Sequence, residues 1–113
     1  MRIPKKRAPS HPGEILLTEF LEPLGLSQRE LADAIHVPYQ RINELVNGKR
    51  GITPSTALRL STFLGNSAEF WLNLQQAWEL YQALYKEKEV LAKISPFQGN
   101  DRTSGITFGE SRK

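Results

Sequence analysis

Residues 27–47 constrain the fold of this chain more than any other stretch, because they predict two short helices joined by a tight turn. Ser27 is a preferred N-cap residue, and Glu30 three positions later completes the pattern of a capping box. The turn is expected at Val37 and Pro38, since the residue before a proline avoids the α region and proline suits a helix start. The apolar residues recur at helical spacing and are predicted to lie inside: Leu31, Ala32, Ile35, Val37, Ile42 and Leu45.

A small residue, Ala32, lies midway along the first of these helices, where a crossing helix would press closest. In this pattern the segment resembles the helix-turn-helix of the phage lambda repressor and Cro (XRE) class. The resemblance implies that the second helix enters the DNA major groove and that its N-terminal residues meet base edges. His36 departs from the motif, which usually carries glycine there, but histidine tolerates a positive φ better than a β-branched residue does. The alternative interpretation is an ordinary helical hairpin in a small α domain.

The outward face of the second helix carries side chains suited to reading DNA bases. Arginine can form two hydrogen bonds with guanine, and glutamine or asparagine can form two with adenine. A tyrosine near the helix start can touch a phosphate or a thymine methyl group. We therefore predict that the base-reading residues are Tyr39, Gln40, Arg41 and Asn43. Residues at the ends of the two helices are predicted to contact the DNA backbone: Gln28, Asn47, Lys49 and Arg50.

Three neighbouring polar residues are interpreted as structural or solvated. Glu44 is expected to form a salt bridge with Arg41 or with a lysine at helical spacing rather than to read cytosine. Thr53 is expected to cap the next helix rather than to contact DNA. Arg59 lies on a helix expected to face away from DNA and is interpreted as a solvated charge.

The distribution of charge along the chain indicates the kind of partner better than the formal net charge of +3 does. Between residues 38 and 59 there are four basic residues and a single acidic one, Glu44. Most of the other acidic residues gather in the first helix and near the C-terminal helix. This segregation favours a polyanionic partner on the side of the predicted recognition helix.

The whole sequence predicts an all-α fold, a lambda-repressor-like domain of five helices with a long C-terminal helix and polar tails. Residues 1–11 are expected to form a flexible basic arm, either a solvated tail or a phosphate contact. Residues 12–94 are expected to form the DNA-binding and dimerisation domain, and residues 95–113 a polar, largely disordered tail. Pro23 is predicted to end the first helix, and the pattern of the last helix continues towards Leu91 or Ile94.

The last helix has more aromatic surface than one small core needs. Phe70, Trp71 and Leu74 are expected to pack within the domain. Because aromatic residues concentrate at subunit contacts, a homodimer interface is predicted at Trp78, Tyr81 and Tyr85, with intramolecular packing as an equal alternative. A two-fold dimer would place two recognition helices in successive major grooves, about 34 Å apart.

Several motifs between about residues 11 and 80 resemble the HigA family of antitoxins: residues 11–16 (HPGEIL), 46–54 (VNGKRGITP), 57–60 (ALRL) and 70–75 (FWLNLQ). The resemblance implies a dimeric repressor that binds the operator DNA of its own toxin–antitoxin operon. It also implies a protein partner, a HigB-type toxin, which is a small ribosome-dependent mRNA endonuclease. The resemblance does not extend to toxin-contacting residues. The alternatives are a stand-alone XRE-type repressor without a toxin and a protein-interaction adaptor.

Other functional classes find little support in the sequence. The chain has no cysteine, which excludes disulfides and thiolate chemistry and fits a cytoplasmic location. His11 and His36 have no second ligand at metal spacing, and no glycine-rich phosphate loop or nucleophile elbow is present. No apolar run is long enough to span a membrane. The sequence therefore predicts a non-enzymatic protein without cofactor, metal or membrane partner.

Overall fold

The computed structural model describes residues 8–98, and within that range it contains six helices and no strand. The first helix, α1, has three parts: an α-helical turn at Pro12–Ile15, a π-helical stretch at Leu16–Leu21 and a last α-helical turn at Glu22–Leu24. The other helices are α2 (Gln28–Ile35), α3 (Tyr39–Val46), α4 (Pro54–Leu64), α5 (Ala68–Lys86) and α6 (Lys88–Ala92). The predicted all-α fold with a long C-terminal helix is confirmed, and the short α6 lies where the pattern of that helix was predicted to continue.

The predicted terminal segments lie mostly outside the described residues. The structure covers the basic arm only at residues 8–11 and the polar tail only at residues 95–98. Over this range no helix combines the length and the apolar character needed to cross a lipid bilayer.

The prediction that Pro23 ends the first helix is wrong. The helix continues to Leu24, and it ends at Gly25, whose φ is 69° and whose conformation suits glycine. The π-helical stretch ends at Leu21, two residues before the proline, and the N–H of Glu22 donates to the carbonyl of Leu17, five residues back. This wider turn removes Pro23 from the regular α-helical ladder, in which its ring would clash with a preceding carbonyl.

The helix pair α2 and α3 has the local structure that the sequence predicts. Ser27 and Glu30 form the capping box, with the Glu30 N–H and the Ser27 N–H each 2.9 Å from the other residue's side-chain oxygen. His36 adopts the left-handed conformation with φ 61°, and the Val37 N–H then donates to the Ala32 carbonyl at 3.0 Å. These contacts end α2 sharply and set the direction in which α3 begins.

The core lies where α1, α2, α3, α4 and α5 meet, around the fully buried Trp71. The predicted interior residues of α2 and α3 belong to it, and Val37 packs against its edge. Gly13 brings α1 directly against the end of α3, because a Cβ at this position would overlap the carbonyl group of Leu45. The closeness of these two backbones fixes α3 on the domain and keeps its opposite face outside.

Candidate nucleic-acid interface

The structure places the predicted base-reading residues on the solvent side of α3. Ile42 and Leu45 are fully buried on the inner side of this helix. Tyr39 and Gln40 are exposed, and Arg41 and Asn43 are partly exposed. Among the described residues, the Arg41 guanidinium takes part in no hydrogen bond or ion pair, so its donors point to solvent. This half of α3 is therefore accessible to a partner as large as a DNA duplex.

A hydrogen-bonded group links the start of α2 to the start of α3. The Asn43 side-chain amide donates to Oε1 of Gln28 at 3.1 Å and to the Tyr39 hydroxyl at 3.4 Å. The structure thus brings together one residue predicted to contact the DNA backbone and two predicted to read bases. Gln28 is also the first residue of α2, beside the unpaired N–H groups of that helix, where an anion is favoured.

Arg29 belongs to the same surface and was not singled out from the sequence. Its guanidinium carbon lies 4.3 Å above the centre of the Tyr39 ring, a cation–π contact between α2 and α3. Asp33, four residues along the same helix, is the partner that helical spacing would favour, but no ion pair between them forms. The only signal in the sequence is a basic residue next to Gln28, and the stacking depends on the turn between the helices.

At the far side of α3, Glu44 holds a second group of polar side chains. Its Oε1 accepts from Nη2 of Arg50 at 2.9 Å and from Nε at 3.0 Å, and its Oε2 accepts from the Gln40 amide at 3.1 Å. The prediction that Glu44 pairs with Arg41 or a lysine is wrong. Gly48, with φ 75°, turns the chain back after α3 and so brings Arg50 to the carboxylate. The hydrogen bond from Arg50, and to a lesser extent that from Gln40, lowers the pKa of Glu44, so the carboxylate is ionised near neutral pH.

The residues around Glu44 line a shallow recess of about 190 Å³ on the outer side of α3. Its walls are formed by Pro38, Gln40, Arg41, Glu44 and Arg50. Three of these five were predicted to contact DNA, and the recess brings a base-reading arginine close to an ion pair.

Asn47 and Lys49 lie where α3 ends. The Asn47 side chain donates to the Asn43 carbonyl at 2.8 Å, and the backbone N–H of Asn47 donates to the same carbonyl at 3.1 Å, so Asn47 makes two hydrogen bonds to the last turn of α3. The backbone N–H of Lys49 donates to the Glu44 carbonyl at 2.8 Å, while its side chain is exposed. Asn47 therefore has a capping role in addition to the predicted contact with the DNA backbone.

Arg59 is exposed, as a solvated charge would be, but its guanidinium also has a structural role that was not predicted. Its Nη1 donates to the carbonyls of Ile35 at 2.8 Å and His36 at 3.2 Å, and its Nε donates to Ser55 Oγ at 3.3 Å. The guanidinium on α4 therefore caps the C-terminal end of α2, where carbonyl groups lack helical partners. Arg59 positions the turn that leads into α3.

Gln75 holds the loop that follows α3. Its Oε1 accepts from the Ile52 N–H at 2.7 Å, and its Nε2 donates to Glu79 at 2.8 Å. Gly51 leaves room for this amide, since a Cβ there would lie 2.7 Å from the Gln75 Oε1 and Nε2 atoms. Because Gln75 is buried on α5, the basic loop is tied to the long helix rather than left loose.

The predicted dimer residues lie along α5 and are increasingly exposed towards its C-terminus. Trp78 is partly buried against the His11 ring, with 4.8 Å between ring centroids. Tyr81 and Tyr85 stack on each other at 6.1 Å, and Tyr85 is 66% exposed. Trp78 therefore also packs within the chain, whereas Tyr85 presents most of its ring to solvent.

Residues 8–98 contain no cluster of side chains suited to binding a metal ion. There, no three His, Asp or Glu side chains lie close enough together to hold an ion.

Comparisons with known proteins point in one direction. A family model described as helix-turn-helix matches residues 17–71. Virulence-associated protein I of Dichelobacter nodosus is 48% identical over 92 residues, which cover 81% of this chain and 84% of that protein. Antitoxin HigA-1 of Vibrio cholerae serotype O1 is 38% identical over 91 residues, which cover 80% of this chain and 86% of the antitoxin. The solved structure of Pseudomonas aeruginosa antitoxin HigA with the higBA promoter matches with a TM-score of 0.77 and 38% identity, over 80% of this chain and 99% of that one.

Proposed function

Since this chain belongs to the helix-turn-helix family of HigA-type antitoxins, we propose that it is the antitoxin of a HigBA-type toxin–antitoxin system. In this role it binds operator DNA as a dimer and represses its own operon. It also neutralises a HigB-type mRNA endonuclease toxin. The family is not one of enzymes, so this chain contributes no catalytic step. Since its proposed partners are operator DNA and a toxin that cleaves mRNA, we infer that the chain works in the cytoplasm.

The observation that carries the DNA-binding part is the polar face of α3, which the fold holds outward. The fully buried Ile42 and Leu45 anchor the helix from behind. Gln40 and Arg41 lie on the open side of the first half of α3, where their amide and guanidinium groups can reach base edges in a major groove. The related antitoxin from P. aeruginosa, which shares this fold, was solved with promoter DNA.

Backbone contacts would flank these base contacts on both sides. Gln28 and Arg29 lie at the start of α2, beside the N-terminal part of α3. Lys49 is exposed in the loop after α3. Phosphate contacts on the two sides of a recognition helix fix its register in the groove, while the side chains between them select the sequence.

Exposed apolar residues between Tyr85 and Phe97 support the dimer. In addition to Tyr85, four large apolar residues of this segment are 40–77% exposed: Val90, Leu91, Ile94 and Phe97. Large apolar and aromatic side chains that are exposed in a single copy are typical of subunit interfaces. The dimer would bring two recognition helices to the two halves of a palindromic operator.

The DNA-binding proposal is tested with a duplex from the chain's own promoter region and a scrambled duplex of equal length. Fluorescence anisotropy at several salt concentrations should show tighter binding to the promoter and a palindromic footprint. Equal affinity for the two duplexes would contradict the repressor role and favour a protein-interaction adaptor.

The antitoxin proposal is tested separately by co-expression with the adjacent open reading frame. We expect the two proteins to purify as a complex and the antitoxin to restore growth that the toxin alone arrests. Promoter binding without a toxin-like neighbour that it captures and neutralises would instead identify a stand-alone XRE-type repressor.

A further inference from the structure

Glu44 is an acidic residue in the middle of the surface that the proposed function presents to DNA. Its carboxylate holds one residue predicted to read bases, Gln40, and one predicted to contact phosphates, Arg50. Three donor atoms reach it within 2.9–3.1 Å, two from Arg50 and one from Gln40. The two kinds of DNA contact are therefore joined through a single negative charge.

This group is accessible to an approaching strand. The side chains of Arg50 and Glu44 are 45% and 28% exposed, and they line the open recess beside Arg41. Ion pairs at such exposed positions are weak, so a phosphate can compete with Glu44 for the Arg50 guanidinium. A phosphate that does so leaves an unpaired carboxylate facing the polyanion, which is unfavourable.

We propose that Glu44 is a specificity-determining residue that withholds Arg50 from DNA lacking the operator sequence and holds Gln40 in position to read a base. The proposal rests on the proposed operator binding. Non-specific affinity comes almost entirely from phosphate contacts, so a carboxylate that occupies one arginine and repels phosphates lowers it. On the operator this cost is offset by the base contact of Gln40, which Glu44 holds in position, whereas on other DNA no such contact offsets it. Glu44 thereby widens the difference between the two affinities.

The direct test is the substitution Glu44→Gln, which keeps the shape and removes the charge. Binding to promoter and scrambled duplexes is measured across a salt series. We expect affinity for the scrambled duplex to rise several-fold and affinity for the promoter to change less, so that their ratio falls. The salt dependence on the scrambled duplex should steepen by about 0.9, the value of one added phosphate contact.

Asp33→Asn is the matched control, because it removes one exposed carboxylate from α2 without touching the group around Glu44. It should leave the ratio of the two affinities close to that of the unsubstituted protein. An equal effect of Asp33→Asn and Glu44→Gln would show that only net charge matters and would overturn the proposal.

Arg50→Ala, made in both backgrounds, tests whether Arg50 is the residue withheld. In the unsubstituted protein, Arg50→Ala should change the salt dependence of binding to scrambled DNA very little. In the Glu44→Gln protein, it should abolish the increase in salt dependence that Glu44→Gln causes. Equal changes in salt dependence in the two backgrounds would overturn the proposal.

If the unsubstituted protein itself does not prefer its promoter, the proposed function fails and this inference fails with it. If that preference exists and Glu44→Gln leaves it unchanged, the inference alone fails.

Discussion

His11 is the residue at which the start of α1 meets the long helix α5. Its Nδ1 accepts the Gly13 N–H at 2.9 Å and caps α1, and its ring packs edge-on against Trp78. Burial lowers the pKa of His11, and the opposing charge of Glu14 compensates only in part. The folded chain therefore favours neutral His11, the form whose Nδ1 can accept the hydrogen bond.

This pKa shift predicts that the free energy of unfolding falls in mild acid. Because the unfolded chain binds the proton more readily, the stabilisation is complete above the ordinary histidine pKa of about 6.5 and is lost as the pH falls through the lower folded value. Thermal unfolding followed between neutral and mildly acidic pH measures this loss. His11→Asn keeps a capping side chain without a titrating group, so it should flatten the pH dependence. Parallel curves for the two proteins would show that His11 is not responsible.

Arg41 has the most direct predicted role in reading sequence, because it lines the recess and its guanidinium has no hydrogen-bond partner within residues 8–98. Arg41→Ala should weaken promoter binding by about 1–3 kcal/mol and relax the preference at one base position. Competition with single-base variants of the promoter measures both effects. Lys49→Ala is the control for a phosphate contact and should weaken promoter and scrambled DNA about equally. The same equal loss from Arg41→Ala would contradict its base-reading role.

The position of α3 as an element depends on its contact with α1 at Gly13. Gly13→Ala places a Cβ against the Leu45 carbonyl, so the two backbones must separate. We expect a loss of roughly 1–3 kcal/mol in stability, together with weaker promoter binding, because α3 shifts on the domain. Gly25→Ala is the control, since it meets only the cost of a positive φ and no neighbouring atom. Urea unfolding of both variants should show the larger loss for Gly13→Ala, and the reverse order would contradict this packing.

Local signals predicted the elements of the site better than they predicted its contacts. The capping box at Ser27 and the left-handed His36 depend on neighbours along the chain, and both are confirmed. The partner of Glu44 lies six residues away, beyond the end of α3, and the carbonyls capped by Arg59 lie 23 and 24 residues away. Such pairings depend on how turns and helices pack, which helical spacing does not encode.

The first helix shows the same limit. Its apolar spacing predicted that one face is buried, and Leu16 and Leu21 are buried. The π-helical register that accommodates Pro23 changes the backbone hydrogen bonds without changing the residue pattern. Proline alone therefore predicted the end of the helix one residue before the Leu24 at which the structure ends it.

For the whole molecule, we propose that the apolar surface of the last turns of α5 and of α6 is the dimer interface. Tyr85→Ala should weaken the proposed dimer by at least about 1 kcal/mol, because a largely exposed aromatic becomes buried in the interface. Sedimentation equilibrium measures the dissociation constant. Phe63→Ala is the control, since Phe63 is also exposed but lies on α4. Equal self-association of both variants would place the interface elsewhere.

We expect DNA to contact the outer face of α3 together with the start of α2. Titration of the ¹⁵N-labelled chain with its promoter duplex tests this claim amide by amide. We predict that the largest chemical-shift changes fall in residues 39–50 and 28–30, with the buried half of α5 around Trp71 little affected. Changes confined to the C-terminal part of α5 and to α6, with residues 39–47 unperturbed, would contradict the account.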